Sequence, residues 1–560
     1  MASVYGKKIG GQTYYYLREV ARVGGKPKIV SQRYLGKAED IAAAMAGTEA
    51  SPARSKHLAF GDVAAVWSVL ERLNVVSIID EVCGARRSDA AVSVGTYLGL
   101  ATLNRVVAPR SKLGFARWWS TTAADRWMKI PTAALDHRRF WDAMDALDET
   151  TLRAIETRLG AVMVTEFGLD VSALALDMTN FATFIDSANA KAPIAQRGHA
   201  KQKRTDLRLI GLGLVITRDG AIPLVSHTYP GNRPDVTQFS TLIDELTDRY
   251  TRLADPTGLS VVFDAGQNSE ANFAHLSEKD LHFVGSLPPC EHPDLLAIPT
   301  ADYQVVNADR FPGLSAIDTT SDALGATRRV ILTHSANLHA KQARGFAQTL
   351  AKATRGLDEL AATLARGRTR RTTDAVHAAI TTITRPRWVN RVITTELTGT
   401  TPATHRLVWA IDTAAREALE EEIFGKRILV TDHDNWPVAE VIAGYRSQSD
   451  VEASFRQLKD TKAVSFSPMF HWSESKIRVH AFYCVLALAV AHLMRRAAEH
   501  AGLHLSVREL LASLASIEET VLLYPSTGGR PKARRILTDH DTTAATLSDT
   551  FGLDTYKPRT

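Results

Sequence analysis

Cysteine is nearly absent from the chain. Three in 560 residues, Cys83, Cys290 and Cys484, stand far apart with no metal-ligand or redox spacing. This excludes a disulfide framework and a cysteine-rich zinc module, and fits free thiols in a reducing compartment. Long apolar runs are missing too. The longest, Ala481 to Met494, contains His492 and falls short of the roughly 18 residues a membrane span needs, so it reads as a buried helix and no membrane partner is expected. The N-terminal MASVYGKKIGGQTYYYL lacks the apolar core of a signal peptide, which makes a cytoplasmic location the expectation. Charge of one sign is scarce as well: the net charge is +6 with a pI near 9.1, so contact with nucleic acid has to come from local clusters. The stretch GLGLVI at 211–216 lacks the third glycine and the following helix of a dinucleotide loop.

What is present is an ordinary globular composition, 45% hydrophobic and 23% charged, in a chain long enough for about three or four domains. Residues 1–50 alternate polar and apolar positions around Gly24-Gly25-Lys26-Pro27, predicting a small basic β region. Its tyrosines, interleaved with Lys7, Lys8, Arg18, Arg22, Lys26, Lys28 and Arg33, suit a nucleic-acid surface and equally suit the region's own core. Residues 56–168 are helical in pattern and carry the cationic PRSKLGFARWWSTT. A DNA-binding domain and a bare helical bundle both fit.

From Val171 the period shifts from helix to strand. Leu174, Leu176 and Met178 alternate with Ala173, Ala175 and Asp177, which sets Asp177 in or at the end of a buried strand. A basic run follows with Arg197, Lys201, Lys203 and Arg204, and His199 within it is a candidate phosphate contact. The next segment reads as two strands joined by Asp219-Gly220. Leu259 to Phe263 is another strand, ending in Asp264-Ala-Gly-Gln-Asn, with a helix capped by Ser269 after it. Asp264 is thereby placed at the carboxyl edge of a sheet, where α/β proteins place ligand groups. Residues 290–425 look like an inserted domain of short strands around a helix from about 340 to 366. Residues 426–500 return to strand and helix, and 501–560 comprise a helix and a basic tail that frays from about 525.

The stretch VIAGYRSQSDVEASFRQLKD, Val441 to Asp460, holds the densest chemistry. As one helix it puts Tyr445, Glu452 and Lys459 on a stripe seven residues apart, with Arg456 one turn after Glu452 and Val451, Phe455 and Leu458 on the buried side. Ser449-Asp-Val-Glu452 also matches a capping box, which would make Glu452 a helix-end group. Asp177, Asp264 and Glu452 together supply enough oxygen ligands for two hard dications that could activate one oxygen and stabilise another in a phosphodiester displacement. His471, His480 and His492 lie before or within the apolar helix and fit core groups better than ligands. Trp388 and Trp436 fit core packing better than base stacking.

With LDMTNFATF around Asp177, GLVITRDGAIPLVSHTYPGN, VVFDAG around Asp264 and YRSQSDVEASFRQLK around Glu452, the chain resembles insertion-sequence transposases of the DDE type. More narrowly it is similar to the insertion-sequence-four-like group with a Y-x-x-R-x-x-x-E-x-x-x-x-x-x-K signature. The resemblance covers about 170 to 500. It implies an α/β, ribonuclease H-like mixed sheet with flanking helices, interrupted by a β-rich insertion in the 188 residues between Asp264 and Glu452. It implies that Asp177, Asp264 and Glu452 bind two Mg²⁺ or Mn²⁺ ions, and that Tyr445 and Lys459 hold phosphates near a transposon end. The signature arginine falls on Gln448, leaving Arg446 or Arg456 to supply that charge. The implied partners are double-stranded DNA, as terminal inverted repeats and target, and a second copy of the chain. The implied location is the cytoplasm, on the nucleoid when DNA-bound. A DNA-binding descendant without catalysis and another ribonuclease H-like nuclease are the competing readings.

Overall fold

The structure, a computed structural model, describes residues 2–23, 26–45, 51–84, 88–186, 188–198, 206–250, 258–368, 370–525 and 532–559. At its centre is a nine-stranded mixed sheet. Within it the strand Ala173–Thr183 pairs antiparallel with Arg208–Thr217 and parallel with Ser260–Val262. Pro223–Pro230 continues one side, antiparallel to Arg208–Thr217, and His282–Leu287 continues the other, parallel to Ser260–Val262. In chain order these five strands lie 3-2-1-4-5, which is the ribonuclease H-like arrangement. Four more extend the edge: Lys426–Thr431, then Ala326–Ser335, Leu314–Ala323 and the short Gln304–Val305.

Ala173–Thr183 is buried along most of its length, the pattern of a strand covered on both faces. Helix Gln448–Leu458 packs on it, and helix Glu474–His500 packs on Pro223–Pro230. Glu474–His500 is apolar and long enough to cross a bilayer, but 94% of its apolar window is buried inside the protein. It is therefore a core helix. His480 bonds the Phe466 carbonyl through Nε2 at 2.7 Å, and His492 bonds the Ala221 carbonyl through Nδ1 at 2.6 Å, as expected of satisfied core histidines. His471 is buried as well, its ring 5.2 Å from that of His480.

Residues 290–425 divide differently from what their composition suggests. The strands at 304–335 belong to the main sheet. The part with its own hydrophobic core runs from the 30-residue helix Ala336–Ala365 to Phe424, and it is helical except for the hairpin Ile393–Thr398 with Arg406–Ile411. Threonine-rich segments there form helix Thr373–Thr384, because Val376 and Ile380 bury four residues apart. Trp388 packs in this core against Phe424, ring centroids 5.3 Å apart. The unit leaves and re-enters the sheet at one point, where the Ser335 amide donates to the Gly425 carbonyl at 2.9 Å.

The C-terminal tail does not fray where it is described. Lys532–Leu537 pairs with Glu518–Tyr524, which pairs in turn with Arg54–Ala59 at the start of the helical region. Helix Thr542–Thr550 follows, and Phe551, Leu553 and Tyr556 are buried in the main core. Residues 501–560 thus complete the helical region at 56–168. The N-terminal β region is a three-stranded antiparallel sheet of Ala2–Ile9, Gln12–Val23 and Lys26–Gly36. The Arg18 guanidinium lies 3.6 Å over the Tyr5 ring.

Candidate active site

Asp177 lies inside the central strand, half-buried between the buried Leu176 and Met178. Its neighbour in the parallel direction runs Ala173↔Ser260, Leu174↔Val261, Ala175↔Val262. Carried two residues further, that register sets Asp264 beside Asp177 at the end of the adjoining strand. Asp264 then leaves the sheet by capping a single turn, Ala265–Gln267, with its Oδ1 accepting from the Gly266 amide at 2.9 Å. The turn is tied down beyond: the Asn268 amide donates to the Ser286 carbonyl at 2.9 Å, and Ser269 caps helix Glu270–Glu278 as expected.

The Val441–Asp460 stretch is two helices, Val438–Arg446 and Gln448–Leu458, interrupted at Ser447. The proposed continuous stripe is therefore split. Tyr445, on the first helix, donates its hydroxyl to Ser286 Oγ at 3.0 Å, reaching the strand next to that of Asp264. On the second helix, Val451, Phe455 and Leu458 are buried as their spacing predicts, and Glu452 and Arg456 are exposed. The capping box is not formed: Ser449 donates to the Arg446 carbonyl, and no side chain caps the second helix at Ser447.

Two contacts lay this helix along the Asp177 strand. Gln448 Nε2 donates to the Leu176 carbonyl at 3.1 Å, and Lys459 Nζ donates to Thr179 Oγ1 at 2.9 Å. They bracket Asp177 on the strand and Glu452 on the helix. Gln448, at the position of the signature arginine, is buried, so this site takes a neutral pin. Arg446 sets its guanidinium 4.4 Å over Phe311, beside the extension strands, and Arg456 remains one turn beyond Glu452. Arg197 is exposed, in the described part of the basic segment. His199, Lys201, Lys203 and Arg204 lie outside the described residues.

A fourth acid joins this neighbourhood. Asp235 accepts from the Tyr229 hydroxyl at 2.6 Å, and burial together with the charges of Asp235 and Asp177 pushes the Tyr229 phenol well above its ordinary range. Tyr229 lies flat across Gly211, its register partner: a Cβ there would meet the ring at 2.1 Å. Asn272 links the Asp235 turn to the Asp264 turn by donating to the carbonyls of Val236 and Gln267 at 3.2 and 2.7 Å. Sequence reasoning passes over Asp235 because a Pro-Asp turn after a strand is common. The only signal is its place directly after the PGN turn.

The donor set suits a hard dication. Asp177 and Asp264 stand on adjoining strands and Glu452 on the helix packed against the Asp177 strand, although the three carboxylates do not all lie within 4.8 Å of one another. The side-chain oxygens of Gln267 and Asn268, just beyond Asp264, are buried and accept no hydrogen bond among the described residues. The cluster His282, Asp432 and His433 lies at the opposite end of the parallel strands and is not part of this group.

A comparison with curated proteins gives no match. Among solved structures, the chain is similar to the piggyBac transposase synaptic complex with hairpin DNA, at 9% identity and a TM-score of 0.35 over 91% of this chain and 85% of that one. The family model described as Transposase DDE domain matches residues 172–467, a little over half of the chain, from just before the Asp177 strand to just beyond the Glu452 helix. The chain therefore belongs to the DDE transposase domain family.

Proposed function

We propose that the protein is an insertion-sequence transposase that binds transposon ends in double-stranded DNA and performs metal-dependent phosphodiester hydrolysis and strand transfer. The observation that carries this reading is the bracketing of Asp177 and Glu452 by the Gln448 and Lys459 contacts, with Asp264 on the adjoining strand. Asp177, Asp264 and Glu452 would hold two Mg²⁺ or Mn²⁺ ions, which sharpen an attacking oxygen and take up charge on the phosphate. Around them the chain's own groups position the DNA. Tyr445, on its Ser286 contact, and Lys459, on its Thr179 contact, present a hydroxyl and an ammonium toward phosphates. Arg456 adds a charge one turn after Glu452; Arg446 and Arg197, with His199, Lys201, Lys203 and Arg204 of the same basic run in the sequence, are the further candidate phosphate contacts. The hydrolysis leaves a 3′ hydroxyl that attacks target DNA, with no covalent protein intermediate. Two ends joined in one complex call for two copies of the chain, acting in the cytoplasm on the nucleoid.

The test is strand cleavage of end-containing duplex with Mg²⁺ or Mn²⁺. Asp177→Asn, Asp264→Asn and Glu452→Gln should each abolish cleavage while DNA binding persists. Undiminished cleavage by any of the three removes that residue from the site. A wild-type protein that binds ends and never nicks them would make the chain a DNA-binding descendant instead.

A further inference from the structure

His282, Asp432 and His433 meet at the sheet edge opposite the three acids. His282 opens the strand His282–Leu287, and the other two follow directly on Lys426–Thr431. One nitrogen of each imidazole and one Asp432 oxygen lie within 4.8 Å of one another. We propose that these residues bind a single transition-metal dication, with Zn²⁺ as the best-fitting ion.

His282 Nδ1 and Asp432 Oδ2 are 3.1 Å apart, close to the edge of about 3.3 Å between ligands of a tetrahedral zinc with bonds near 2.0 Å. The other atoms of the set are held from outside. The Phe283 amide donates to Asp432 Oδ1 at 2.8 Å, the buried Ser260 hydroxyl pairs with His433 Nε2 at 2.7 Å, and Trp436 stacks on the His433 ring at 3.7 Å. Partners of this kind fix the orientation of metal-binding imidazoles and carboxylates. Arg329 fastens the turn by donating to the carbonyls of His433, Asp434 and Trp436. Two imidazoles and one carboxylate favour zinc over the oxygen-seeking Mg²⁺, and a fourth position is left for water.

The site is separate from the acids. Ser260 begins the short strand that leads to Asp264, so the two ends are about 13 Å apart at 3.3 Å per residue. The turn it closes leads straight into helix Val438–Arg446 and then the Glu452 helix. A metal here clamps the launch of those helices to the sheet edge.

The experiment titrates Zn²⁺ alone into the full chain, stripped with EDTA, in an Asp177→Asn background so that the acid site is disabled. A single equivalent should bind, Co²⁺ in its place should give the visible band of a tetrahedral site, and His282→Ala should weaken binding by at least about tenfold. His282 is half-exposed, so this variant is the one expected to keep its fold, checked by an unchanged melt in EDTA. Asp432→Asn provides the second variant should His282→Ala melt early. Absence of zinc binding, or binding that neither substitution weakens, overturns the site.

Discussion

Gln448 donates its side-chain amide to the Leu176 carbonyl, so the helix that carries Glu452 is fastened one residue before Asp177. Gln448→Met keeps similar volume and removes the donor together with an amide oxygen that is buried and accepts no hydrogen bond among the described residues. It should cost no more than about 1–2 kcal/mol of stability. It should nevertheless lower strand cleavage by roughly tenfold or more, because small misplacements of a catalytic group are expensive. Single-turnover cleavage beside a denaturant melt separates the two effects, and unchanged cleavage would reduce Gln448 to packing.

Lys459 makes the second contact, to Thr179. If its ammonium also meets a DNA phosphate, Lys459→Gln should reduce the salt dependence of end binding by about one counterion. Thr179→Val, which removes only the protein contact, should leave that slope alone. Fluorescence anisotropy across a salt series reads both. Equal slopes for wild type and Lys459→Gln would place Lys459 off the DNA.

The core histidines give the fold an acid limit. Burial pulls His492 down to about 4, so the folded state holds it neutral while the unfolded chain titrates near 6.5. Its contribution is complete above the unfolded value and is lost as pH falls toward the folded one, by roughly 2–3 kcal/mol at pH 4.5. Urea unfolding at pH 7.5 and 4.5 should show His492→Gln losing less stability than wild type by about that amount. Equal losses would contradict a neutral buried imidazole.

Truncation after residue 537 tests the C-terminal closure. It removes the buried Phe551, Leu553 and Tyr556, each worth about 1.5–3 kcal/mol when fully buried. The melting temperature should fall by on the order of 10 °C. A tail that merely frays would leave it unchanged.

Asp177 and Asp264 were legible because a change of period and a strand, turn, helix sequence are local signals. Glu452 was legible as a residue but not in its setting. Gly444 and the Ser447–Asp450 run weaken a helix without predicting a break, and on either side of Ser447 the two helices are held by separate tertiary contacts, at Ser286 and at Leu176. The C-terminal strand was invisible for a different reason: its sheet is completed by Arg54–Ala59, more than 450 residues earlier, and no window of sequence joins them. In the inserted unit, threonine-rich composition suggested strands, but the pattern of buried positions made helices. Asp235 was missed because its meaning lies in Tyr229 and Asn272, which only the fold brings to it.

The hydrogen bond between Ser335 and Gly425 closes the sheet behind the inserted unit, and the Ala336 amide on the Gly313 carbonyl and the Thr300 amide on Glu421 fasten the unit at the same end. A module hung on so narrow a neck works as an exchangeable cassette. Its length can drift at small cost, since loop-closure entropy grows only slowly with length. A shorter or longer unit joined at the same end would therefore change what surrounds the chemistry while the strands that hold Asp177 and Asp264 stay in register.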